Sequence, residues 1–166
     1  AGLKVRVAGA TAADVATALG ATPVQMPINQ VYNALQTGLI DGVITGSSTL
    51  NYFKLDEVAN SYTFGANLGR LSFYAVMNKK KYDSLSAEHR AALDSVRGMP
   101  LSKSAEDAWN ETAIEGVAAA RLLDDNTFVD LTEAEAAAFA AAIAPVTGAY
   151  VDAVGGQAAQ AAMQAK

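Results

Sequence analysis

Cysteine is absent from the 166 residues, which excludes disulfides, thiol nucleophiles and thiolate metal sites. Histidine and tryptophan occur once each, and aromatics make up 7% of the chain. Cationic side chains are also few: 12 Lys and Arg stand against 17 Asp and Glu, a formal net charge of -5. That balance argues against nucleic acid or an anionic membrane as a partner, because phosphate binding needs a positive surface. The most apolar tract, Ala136 to Val151, is broken by Pro145 and Gly148. It falls short of the roughly 20 residues a membrane span needs, so it reads as a non-spanning helix that ends near Pro145.

Catalytic sets are missing too. There is no Gly-x-Ser-x-Gly elbow, no phosphate loop and no histidine pair, so neither nucleophilic nor metal chemistry has its usual residues. The single histidine, His89, falls in a charged amphipathic segment that places it toward solvent, while Ser84 and Ser86 suit helix capping. Asp124 with Asp125, and Glu133 with Glu135, read as solvated helix ends, and "NKKKYD" from Asn78 to Asp83 as a solvated helix start. No catalytic residue, metal or cofactor is expected.

What the chain does have is alternation. Half of it is hydrophobic, largely through alanine, and the length suits one domain that buries roughly two thirds of its unfolded surface. Leu3, Val5 and Val7 alternate with Lys4 and Arg6 as in a half-buried strand, Gly9 turns, and Val15 and Leu19 mark a helix that Gly20 ends. Thr11 and Asp14 have capping-box spacing. The unit repeats with a strand from Pro23 to Met26, a helix through Val31 and Leu35 that Asn29 can cap and Gly38 ends, and a third strand from Asp41 to Thr45. Such alternation with short links predicts a parallel sheet with right-handed crossovers. Further strands are expected at Ser61 to Gly65, Leu71 to Met77 and Thr127 to Leu131. Helices are expected from Ser86, from Leu101 to Leu123, from a Thr132/Glu135 capping box, and after Gly156.

Two places could carry binding chemistry. Arg6 stands where the first strand of such a sheet would end, beside a glycine turn and a helix amino terminus, and a guanidinium there can form a bidentate pair with a carboxylate. The alternation by itself equally fits, and even favours, a surface arginine that pairs with a nearby acid or reaches water. "DGVITGSST" delivers Thr45, Ser47, Ser48 and Thr49 to the same sheet edge, as a polar ligand loop or as a plain serine-rich turn.

Three stretches in register, "GLKVRVAG", "LGATPVQMPINQVYNALQTGLIDGVITGSST" and "YAVMNKKKYDSLSAEHRAAL", closely resemble the second half of the DctP-type solute-binding proteins of TRAP transporters. The resemblance implies a periplasmic α/β protein with two lobes and a short, parallel-rich sheet flanked by helices. Such a protein closes over a small organic acid and passes it to TRAP membrane permease subunits driven by an ion gradient. It is not an enzyme. The family's arginine in "GLK-x-R" holds the ligand carboxylate, and that position is Arg6 here. Gly9, Thr11, Ile28, Asn29, Thr45 and Ser47 complete the implied ligand set. Thr45 and Gly46 stand where many members have an asparagine-proline pair, and Ile28 where many have phenylalanine. Residues 1–71 and 112–166 are implied to form the second lobe, and 72–111 to complete a first lobe whose opening half is absent. Ala1 begins almost on a strand with no initiator methionine, so the chain reads as a processed or excised piece. A truncated lobe is expected to hide its apolar surface by self-association or by swapping its helical segment. The other reading is a sensing module that uses the same fold to feed a receptor.

Overall fold

The expected strand-helix alternation at the start of the chain is present. β1 (Lys4–Val7), α1 (Ala10–Ala18), β2 (Thr22–Gln25), a 3-10 turn (Ile28–Gln30), α2 (Val31–Gln36) and β3 (Gly42–Val43) follow one another with short links. The structure, a computed structural model, describes residues 2–155 and residue 161. Apart from residue 161, the helix expected after Gly156 therefore lies outside the described residues.

The three strands form a parallel sheet in the order β2-β1-β3. Pro23 is tolerated because β2 is an edge strand, where a missing N–H leaves no ladder partner unserved. Arg6 pairs in register with Val24 on one side and Val43 on the other. Side chains in register share a face, so all three stand on the side of the main core. That core is built from Val31, Ala34, Ile40, Leu50, Leu55, Tyr62 and Ala120, with Val24 and Val43 packed on it. Val31, Ile40 and Leu55 are among its fully buried side chains, each contributing about 1.5 to 3 kcal/mol by burial. Val7, Val15 and Ala16 are also buried.

A second parallel pair, β4 (Ser61–Phe64) and β5 (Thr127–Asp130), lies beyond α3 (Thr49–Tyr52) and a 3-10 turn at Leu55–Glu57. Tyr62 and Phe128 stack across it at 4.8 Å. The Arg121 guanidinium covers Phe128 at 4.4 Å and pairs with Asp130 at 3.0 Å. Helix then dominates: α4 (Lys79–Asp83) capped by Asn78, α5 (Ala87–Val96) capped by Ser86, α6 (Met99–Ala120), and α7 (Glu133–Val154). Gly98 breaks the chain between α5 and α6 at a φ of 74°, and Pro100 sits in the first turn of α6, where its missing N–H costs nothing. The Thr132/Glu135 capping box forms as expected.

Several expectations are corrected. Helix α1 begins at Ala10 with Gly9 as its N-cap and no side-chain cap, so Thr11 lies inside the first turn and makes no capping box with Asp14. Asn29 does not cap α2; it falls within the 3-10 turn that precedes it. The third strand is confined to Gly42–Val43. Leu71 to Met77 is not a strand: it has no regular secondary structure and no backbone hydrogen bond among the described residues. Its apolar side chains suit a strand, but no neighbouring edge completes a ladder among the described residues.

Helix α7 does not stop at Pro145 but runs through it and Gly148 to Val154. Pro145 lies on the exposed side, so water can serve the carbonyl that loses its N–H partner. With 22 residues and an 18-residue window of mean hydropathy 1.5, this helix is by length and composition able to cross a membrane. The interruption argument therefore does not hold; in the fold, α7 packs against α1.

Candidate functional site

β1 is the strand at which the sheet order reverses, with β2 on one side and β3 on the other. In open parallel sheets, the carboxyl end of such a strand faces a crevice that the flanking crossovers leave open. Arg6 is the penultimate residue of that strand, followed at once by the Gly9 turn and the amino terminus of α1. Gly9 has a φ of 89°, with nothing within 4 Å of where a Cβ would stand. Glycine is there for its conformation rather than for lack of space. No side chain caps α1 and no acid lies in its first turn, so its free N–H groups and positive dipole end are available to an anion.

Arg6 is 5% exposed. Its Nε donates to the Met26 carbonyl at 3.0 Å, which fixes the plane of the guanidinium just past the end of β2. Its carbonyl accepts from Ile44 N–H at 2.9 Å, tying β1 to the start of the following loop. Among the described residues no carboxylate pairs with it, and its terminal nitrogens have no acceptor. No buried side-chain nitrogen or oxygen is left without a partner among the described residues, so those nitrogens still touch solvent. Burial pushes the guanidinium pKa below its ordinary value. The surface arginine that alternation favoured is not what folds. A nearly buried cation with free bidentate donors and no counter-ion among the described residues is matched chemically to a carboxylate.

The loop after β3 places Thr45 and Ser47 half-buried, Gly46 exposed and Ser48 buried. Thr49 Oγ1 donates to the Gly46 carbonyl at 2.7 Å, the bond of an ordinary polar turn. Ser48 is the N-cap residue of α3 but makes no side-chain cap; its Oγ accepts from Trp109 Nε1 at 2.7 Å. Ile28 is half-buried against the core, while Asn29 and Thr11 are exposed. Topology therefore places Arg6, Gly9 and Thr11 along one strand-turn-helix connection, and Thr45 and Ser47 on the neighbouring one. Ile28 and Asn29 follow β2, close in sequence to the Met26 carbonyl that holds Arg6. The Met26 carbonyl and the Trp109–Ser48 bond were not foreseen: the first is backbone, and the second joins residues 61 apart. Among the described residues no cluster suited to a metal ion occurs.

The family described as DctP, bacterial extracellular solute-binding protein, family 7, matches residues 1–152. The chain is 30% identical over 159 residues to the C4-dicarboxylate-binding periplasmic protein DctP of Rhodobacter capsulatus, covering 94% of this chain and 46% of that protein. It superposes with a TM-score of 0.83 and 30% identity on a TRAP periplasmic solute binding protein of Shewanella oneidensis with bound succinate, covering 97% of this chain and 52% of that one. A TRAP solute binding protein of Rhodoferax ferrireducens, in complex with copurified benzoate, gives a TM-score of 0.79 at 27% identity, with 91% and 48% covered. The chain spans about half the length of the relatives it matches.

Proposed function

Because the chain belongs to bacterial extracellular solute-binding protein family 7, we propose that it captures a small organic acid in the periplasm and presents it to TRAP permease subunits. It does so by binding, without catalysis. One observation carries this reading: Arg6 is almost fully buried at the switch point of the sheet and lacks any carboxylate partner among the described residues. The ligand carboxylate is that partner, held by the two terminal guanidinium nitrogens. The Gly9 to Thr11 turn and the α1 amino terminus complement its second charge or its dipole. Thr45 and Ser47 offer hydroxyls from the neighbouring loop, and Ile28 with Asn29 closes the side of the crevice beyond β2.

Residues 1–71 and 112–166 form one lobe in this reading, and 72–111 belong to a second lobe whose remainder is not in this chain. Exposure supports that division. From Arg70 to Glu111 almost every residue is exposed, including Tyr74 at 85% and Val76 at 83%. That apolar face drives self-association or exchange of the helical segment at high concentration. Light scattering across a concentration series reads this, and a strictly monomeric species would refute it.

The binding reading is tested by two-dimensional amide NMR of the 166-residue chain titrated with succinate and with benzoate, a method that detects millimolar contacts. Saturable shifts confined to Arg6, Gly9 to Thr11 and Ile44 to Ser48 are expected, and they should vanish in Arg6→Met. Shifts that survive in Arg6→Met, or none at all in the wild type, would overturn it.

A further inference from the structure

The loop that follows β3 is held in place from outside the sheet, by α6. In the second half of that helix, Thr112, Ala113, Gly116, Val117 and Ala120 are the residues withdrawn from solvent. With Trp109 they repeat at intervals of three and four, one face of a helix. Two of these positions meet the loop itself. A Cβ at Gly116 would stand 3.3 Å from the Ser47 carbonyl oxygen and 3.3 Å from Leu50 Cβ, so the helix backbone comes as close as glycine allows. Two turns earlier, Trp109 Nε1 donates to Ser48 Oγ at 2.7 Å. The Trp109 ring, 46% exposed, also stacks on Phe73 of the unpaired segment at 4.4 Å and 28°.

An indole N–H can only donate. Ser48 must therefore accept, which fixes the orientation of its hydroxyl and leaves its own proton unspent on Trp109. Thr49, one residue on, satisfies its hydroxyl within the turn; Ser48 uses a group 61 residues away. We propose that Trp109 is a positioning residue for the ligand loop: its N–H bond to Ser48 holds Thr45 to Ser48 at the height of Arg6. Through Phe73 it links that loop to the unpaired segment Leu71 to Met77. The proposal rests on the carboxylate reading only for what the loop is positioned to do. The tie itself is independent of it.

Trp109 is the only tryptophan, so its side-chain N–H gives one resonance in a nitrogen-proton spectrum. In the wild-type chain that proton should be slow to exchange with solvent. Ser48→Ala should speed its exchange at least tenfold. Trp109→Phe keeps a six-membered ring for Phe73 and removes the donor together with the pyrrole ring that carries it. It should raise amide exchange at least tenfold at Thr49 and Leu50, whose N–H groups donate to the Gly46 and Ser47 carbonyls of the loop at 3.1 Å, while Arg6 and Val7 stay protected. Titration with benzoate or succinate should then show at least tenfold weaker binding in Trp109→Phe than in the wild type. Unchanged loop exchange in Trp109→Phe overturns the proposal, and so does equal affinity of the two proteins for a probe that binds. A wild-type chain that binds neither probe counts against the carboxylate reading, while the exchange comparison alone still decides the role of Trp109.

Discussion

Replacing Arg6 by methionine should separate stability from binding. The folded chain holds the guanidinium nearly dry, with one hydrogen bond from Nε to the Met26 carbonyl and no counter-ion among the described residues. Removing it forfeits that charged hydrogen bond, about 1.5 to 3 kcal/mol, and ends the cost of keeping a cation out of water. Methionine is unbranched and fits the space between Val24 and Val43, the two residues in register with Arg6, recovering about 1.5 to 3 kcal/mol by apolar burial. These effects oppose one another. Urea unfolding of Arg6→Met should therefore give a stability within about 1.5 kcal/mol of the wild type, or above it. Binding has no such compensation. Deleting one partner of a buried, hydrogen-bonded charge pair costs about 2 to 5 kcal/mol, or roughly 30-fold to several thousand-fold in Kd. Arg6→Lys keeps the charge but not the planar fork, and should fall between. A loss of more than about 3 kcal/mol of stability in Arg6→Met would mean that the arginine is a structural group, because breaking a needed buried pair has that size.

Gly116→Ala should destabilise by about 1 to 3 kcal/mol in thermal or urea unfolding despite alanine's better helix propensity, since the new methyl meets the Ser47 carbonyl and Leu50 at 3.3 Å. Pro145→Ala restores the missing hydrogen bond of α7 on its exposed side; circular dichroism melting should show a gain of up to about 3 kcal/mol. Thr132→Ala removes the N-cap of the same helix, and urea unfolding should show a loss of about 0.5 to 2 kcal/mol. The Thr132 backbone N–H and then its hydroxyl, both donating to Glu135, hold the Glu135 carboxyl below its ordinary value. A carboxyl depressed in the folded state adds stability above its unfolded pKa and loses it as pH falls through the folded value. The stability advantage of wild type over Glu135→Gln should thus be present at pH 7 and shrink below about pH 4.

Much of the architecture was legible because it is local. Strand alternation at Val5 and Val7, the stops at Gly20 and Gly38, the caps at Ser86 and Thr132 and the parallel sense of the first sheet follow from spacing and turn chemistry. Where the reading failed, a nonlocal term decided. Leu71 to Met77 has the apolar composition of a buried strand, but a strand exists only with a partner edge, which composition does not supply. Helix α7 passes Pro145 because the disturbed turn faces water, and exposure is not written in a proline. Thr11 and Asn29 have capping chemistry, but the backbone turned one or two residues away from them.

The site divides in the same way. By itself the sequence determined that a cation, a glycine turn and a helix start stand in succession. It also carried the resemblance that made Arg6 a ligand candidate. Only the tertiary structure decided that Arg6 is buried, that its terminal nitrogens have no acceptor among the described residues, and that Ser48 is held by Trp109. Burial and pairing depend on which distant segments arrive at a point in space. The register of β1 with β2 and β3, and the approach of α6 at Gly116, bring those segments there.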